Sequence, residues 1–148
     1  MNIKPRLNAD GITIHTLEEF DGMRKSGALA AEILDMITEH VVPGVTTDAL
    51  DKLIHDYMID AGAIPATLGY SGYTKSSCIS LNHVVCHGIP SDKKLKDGDI
   101  LNIDVTCILD GWFGDTSRMY VCGKLSRKAE RLIDITHTAL MIGIDQVK

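Results

Sequence analysis

The sequence predicts an α+β fold, with helices packed on one face of a mostly antiparallel sheet. Three observations predict it. Two helical stripes open the chain, a pair of strand-like runs meets at Asp110-Gly111, and one more helical stripe closes it. At 148 residues the chain is one domain, large enough to bury a real core.

The first helix begins at a capping box. In Thr16-Leu17-Glu18-Glu19, Thr16 can cap the backbone and Glu19 can reach back to it. Behind it Phe20, Met23, Gly27, Ala30, Leu34, Ile37 and Val41 recur at helical spacing, and Val42-Pro43-Gly44 is the stop. Thr46 or Thr47 caps a second helix, with Leu50, Leu53, Ile54, Tyr57, Met58 and Ala61 as its stripe and Gly62 as its end. From Ala63 the texture becomes strands and loops. Cys78–Leu81 and Val84–Cys86 read as short strands, punctuated by glycines and prolines. Two longer strands come next, about Asp99–Leu109 and Trp112–Cys122. Ser126 then caps a third helix, whose apolar side is Ala129, Leu132, Ile133, Leu140, Ile144 and Val147. That helix runs to Lys148 without a stop signal and its stripe wants a partner surface: either it simply ends at the C-terminus or the chain has been cut.

Composition removes several classes of function. The chain is 45% hydrophobic and 24% charged, with a net charge of −5. This is the ordinary globular range. The short KKLK run at 93–96 is a solvated turn, so nucleic acid is not an expected partner. No apolar run of signal-peptide or membrane-spanning type is present, which predicts neither secretion nor a membrane partner. The four cysteines, Cys78, Cys86, Cys107 and Cys122, form no C-x-x-C pair. They read as reduced, half-buried thiols of a cytoplasmic protein.

The hairpin carries the chemistry. A two-residue turn at Asp110-Gly111 pairs Leu109 with Trp112. Thr106 then faces Asp115, and Asp104 faces Ser117. Asp104 and Asp115 fall on one side of the sheet as diagonal neighbours, with Cα atoms about 7–8 Å apart. Two converging carboxylates repel unless a proton or cation lies between them. Bridging carboxylates suit two-metal hydrolases, whereas two solvated aspartates on an open face need no ligand. Asp99 and Asp110 are turn residues. Asp115-Thr116-Ser117 also resembles an aspartic-protease turn. Gly114 stands where that motif has an apolar residue, and Asp115 lies in a strand signal.

The histidines are less specific. His83 and His87, on the strand predicted there, are too far apart to share an ion, so His83 is a surface residue. His87 sits where that strand breaks into Gly88-Ile89-Pro90, a place suited to a functional side chain, though a hydrogen-bonded structural histidine fits the residues alone as well or better.

The runs GYSGYTKSSCISLNHVVCHGIP and LKDGDILNIDVTCILDGWFGDTSRMYVCG resemble those of type I methionine aminopeptidases of the bacterial or organellar kind. The resemblance covers nearly the whole chain from Thr16 onward. It implies one half of a pita-bread fold around a dinuclear metal centre, and removal of the initiator methionine from new polypeptides. It implies that residues 1–148 are the N-terminal half of the catalytic domain, with the C-terminal half absent. Asp104 and Asp115 match metal ligands, and His87 matches the catalytic histidine that contacts substrate. Tyr70, Tyr73 and Cys78 match the methionine pocket, with Thr67 where the family often has cysteine. Asn82 and Val84 match backbone positions that hold a monovalent cation. The implied cofactors are two divalent ions drawn from cobalt, manganese, iron, zinc or nickel.

The family's remaining ligands, one histidine and two glutamates, have no counterpart here. The expectation is therefore weak metal binding and little or no hydrolysis by these residues alone. The expected partners are nascent peptide N-termini at the ribosome and a second copy of the chain, bound through the exposed half-interface. The other reading is a non-catalytic binding module of the same fold.

Overall fold

The computed structural model describes residues 6–147. Its elements are α1 (Leu17–Met36), α2 (Thr47–Asp60), β1 (Ile64–Pro65), β2 (Ser77–Leu81), β3 (Asp99–Leu109), β4 (Trp112–Cys122) and α3 (Arg127–Ile144). Short 3-10 turns cover Ile37–His40 and Tyr70–Gly72. The capping box is formed. Thr16 Oγ1 accepts from the Glu19 N–H at 3.2 Å, and Glu19 accepts from the Thr16 N–H at 2.6 Å. Thr46 and Ser126 cap α2 and α3 by accepting from the N–H three residues on. Each cap satisfies a donor that the first helical turn leaves unpaired.

β3 is the centre of the sheet. β1 and β2 pair along one of its edges and β4 along the other, all antiparallel. α1 packs on β3 and β4, and α2 on β1 and β2. The strands alternate accordingly. Leu101, Ile103, Val105 and Cys107 are fully buried toward the helices. Asn102, Asp104 and Thr106 point to the opposite face and are half-buried. Ala30, Ile33, Leu34 and Ile37 from α1, with Leu50, Ile54 and Met58 from α2, complete the core. Burying a large apolar side chain of this kind contributes about 1.5–3 kcal/mol.

The sheet-facing contact of α1 follows the predicted stripe at Ala30, Leu34, Ile37 and Val41 but departs from it in the first turns. Phe20 and Met23 are 43% and 49% exposed. The buried positions include Ser26, whose hydroxyl donates to the Trp112 carbonyl at 2.8 Å. Gly114 makes this approach possible. A Cβ there would lie 2.1 Å from the Ser26 carbonyl oxygen, so α1 rests directly on β4 backbone. Val84–Cys86 form no strand. Asn82 and His87 both have positive φ, 53° and 52°. Those left-handed positions turn the chain out of β2 and carry residues 84–90 as a loop. Nor are the cysteines all half-buried: Cys78, Cys107 and Cys122 are buried, and Cys86 is exposed.

α3 has the predicted start but buries none of its residues. Leu132, Ile135, Leu140, Met141, Ile142 and Ile144 are 43–60% exposed. Lys148 lies outside the described residues. Among the described residues, no helix is long and apolar enough to cross a membrane.

Candidate active site

The hairpin has the register that Asp110-Gly111 predicts. Both residues have positive φ, 51° and 84°. A two-residue turn of this type requires that at both central positions. Leu109 pairs with Trp112, Thr106 with Asp115, and Asp104 with Ser117. Asp104 and Asp115 therefore share the face away from the helices. β2 adds Cys78 directly opposite Asp104 on the same face. Asp115 lies inside β4 rather than in a turn, which removes the ground for the aspartic-protease reading.

The carboxylates sense each other. The Asp104 carboxyl is held above the ordinary carboxylate range, first by partial burial and then by the negative charge of Asp115. His87 opposes this rise, so its ring lies within electrostatic reach of Asp104.

A cavity of about 540 Å³ has on its wall Cys78, the cross-strand neighbour of Asp104. Its lining includes Thr67, Tyr70, Tyr73, Cys78 and His87, all five of the pocket residues expected from the sequence. Ser71, Gly72, Thr74 and Ile89 also line it, and sequence reasoning missed them. The Gly88-Ile89-Pro90 loop was the available signal for Ile89. The single Tyr73 O–H proton is shared between the Ser77 and Gly88 carbonyls, at 3.0 and 3.2 Å. Burial raises the pKa of that phenol and of the Cys78 thiol, so both stay neutral near pH 7. Thr67 donates to the Lys75 carbonyl at 2.9 Å, which pins the cavity rim.

Asn82 and Val84 lie in and just after the turn that ends β2. The Asn82 side chain bonds both Asp99 and the Ile100 N–H, which fixes that turn to the start of β3. His83 is exposed, as expected.

The donor set at the aspartates consists of two hard carboxylates on one face, one with raised proton affinity. That chemistry fits part of a divalent-metal site. No group of three or more His, Cys, Asp or Glu side chains among the described residues could hold an ion.

Comparison with known proteins identifies the family. The model of metallopeptidase family M24 matches residues 21–148. The chain belongs to metallopeptidase family M24. It is 58% identical over 137 residues to the methionine aminopeptidase of Rickettsia prowazekii, covering 93% of this chain and 53% of that protein. The crystal structure of that relative superposes with a TM-score of 0.87, at 59% identity, over 88% of this chain and 52% of the other. The Thermotoga maritima methionine aminopeptidase superposes with a TM-score of 0.88 at 32% identity, over 93% and 55%. This M24 chain thus spans about half the length of the curated relatives it matches. The three α-helices and four-stranded antiparallel sheet of its described residues are one half of the pita-bread fold.

Proposed function

We propose that this chain supplies one half of a methionine aminopeptidase site, the half that holds the methionine side chain and two metal-binding carboxylates. The observation that carries the reading is the cavity lined by Thr67, Tyr70, Tyr73, Cys78 and His87, next to Asp104. Asp104 and Asp115 would hold divalent metal. Such an ion supplies Lewis acidity, polarising a scissile carbonyl and lowering the pKa of water.

The remaining roles belong to the protein's own side chains. The cavity offers two aromatic rings, a neutral thiol and Ile89, surroundings suited to a thioether. Tyr73 spends its hydroxyl on two carbonyls, so it presents the apolar body of its ring. His87, at a strained backbone position on the cavity wall, contacts the substrate near the scissile amide and stabilises the reacting group. The Asn82 and Val84 backbone would take a monovalent cation. The substrates are nascent peptides beginning with methionine, met at the ribosome in the cytoplasm. Among the described residues no third ligand joins the two aspartates, so on this reading these residues alone hydrolyse little.

Fusion to the second half of the Rickettsia prowazekii relative tests this. With cobalt or manganese present, the fusion should release methionine from a Met-Ala-Ser peptide, and Asp104→Asn should abolish release. An inactive fusion with metal demonstrably bound would favour the binding-module reading. That reading also predicts a protein partner retained after both Asp104→Asn and Asp115→Asn.

A further inference from the structure

α2 buries a carboxylate that the proposed chemistry does not use. Asp51 is 7% exposed. Its Oδ1 accepts three hydrogen bonds, from the Ser76 N–H at 3.0 Å, the Ser77 N–H at 2.8 Å and Ser77 Oγ at 2.7 Å. A buried carboxylate is costly unless it is satisfied in this way. The same face of α2 grips the neighbouring residues. Asp48 pairs with Lys75 at 2.6 Å, and His55 Nδ1 meets Ser76 Oγ at 2.8 Å. Positions 48, 51 and 55 thus hold residues 75–77 in line.

Those residues lead into β2, and β2 leads to the cavity. Cys78 is next in the strand and lines the cavity wall. The Ser77 carbonyl accepts from the Tyr73 hydroxyl, which also reaches the Gly88 carbonyl. Gly88 in turn is pressed against β2. Its carbonyl accepts from the Ile79 N–H at 2.8 Å, and a Cβ on it would lie 2.3 Å from the Ile79 carbonyl oxygen. His87 is the residue before it. A continuous set of bonded groups therefore runs from Asp51 to three cavity residues.

We propose that Asp51 is a positioning residue, which fixes where β2 begins and so holds Cys78, Tyr73 and His87 around the cavity. The proposal rests on the aminopeptidase reading only for what the cavity binds. Its test uses neither metal nor peptide cleavage, so the two ideas fail separately.

The cysteines supply a readout within one molecule. Cys78 borders the cavity, whereas Cys107 and Cys122 are fully buried on the helix side of the sheet. The wild-type chain, Asp51→Ala and Asp51→Asn would be alkylated with iodoacetamide and each cysteine followed by peptide-resolved mass spectrometry. Asp51→Ala should raise the Cys78 rate about tenfold relative to Cys107 and Cys122, because the strand start loses all three bonds. Asp51→Asn keeps an acceptor oxygen and should stay within about twofold of wild type. If Asp51→Ala does not fold, Ser77→Ala removes one bond and should give roughly a threefold rise at Cys78 alone. A parallel rise at all three cysteines would reduce Asp51 to a general stabiliser and overturn the proposal. An unchanged Cys78 rate would overturn it as well.

Discussion

Replacing Asp104 by asparagine should stabilise the metal-free chain. Asp104 is half-buried, and Asp115 stands diagonally across the hairpin on the same face. Carboxylates about 6–7 Å apart repel by about 0.6 kcal/mol in water and about 2.6 kcal/mol at an effective dielectric of about 20. Asp115 is exposed, so solvent screening keeps the value near the lower end. Adding the relief of Asp104's own desolvation gives about 1 kcal/mol, or roughly 2–4 °C in Tm for a chain of this size.

The effect carries a pH signature. The folded pKa of Asp104 lies above its ordinary value of 3.8. Below that value the carboxyl is protonated in both folded and unfolded chains and contributes nothing. As pH rises from 3.8 through the folded pKa, the folded chain must give up a proton it holds more tightly than the unfolded chain does. The penalty grows across that window and is fully present at neutral pH. Thermal unfolding with a chelator present should therefore show Asp104→Asn above wild type at pH 7, with the gap closing toward acid pH. A variant less stable than wild type at pH 7, or a gap independent of pH, would refute the repulsion argument.

Two further perturbations probe the scaffold. Gly114→Ala should cost about 1–3 kcal/mol by chemical denaturation, because the new Cβ meets Ser26 backbone rather than a side chain that can move. A neutral result would mean that α1 does not rest on β4 there. The open apolar side of α3 should drive self-association, seen by light scattering as mass rising with concentration, and a monomer at every concentration would contradict it.

Some of this architecture was legible because local chemistry dictates it. Asp-Gly can adopt two successive positive φ values, and that alone set the hairpin register and brought Asp104 and Asp115 to one face. The three caps were legible for the same reason, since Thr16, Thr46 and Ser126 act on N–H groups three residues away. The α1 stripe was legible from Ala30 onward, where Ala30, Leu34, Ile37 and Val41 are buried as expected, but not in its first turns. Its contact with β4 runs through Ser26 and beside Gly22, small residues that allow close approach, while Phe20 and Met23 stay exposed. Val84 and Val85 read as strand from their branching, but the positive φ values at Asn82 and His87 override that preference. Asp51 reads as an ordinary polar helix position, because its three donors come from residues 25 and 26 positions away. The cavity residues were found through motifs, and their convergence is a tertiary fact.

If Asp104 and Asp115 act together on divalent metal as part of a larger ligand set, the 148-residue chain should bind such an ion only weakly. Calorimetric titration of manganese into the 148-residue chain tests it most directly. Binding should be weak, with a Kd on the order of 0.1–1 mM, or about −4 to −5.5 kcal/mol, and lost in the Asp104→Asn, Asp115→Asn double variant. Binding that survives in the double variant, or micromolar and tighter binding by the wild-type chain, would contradict it.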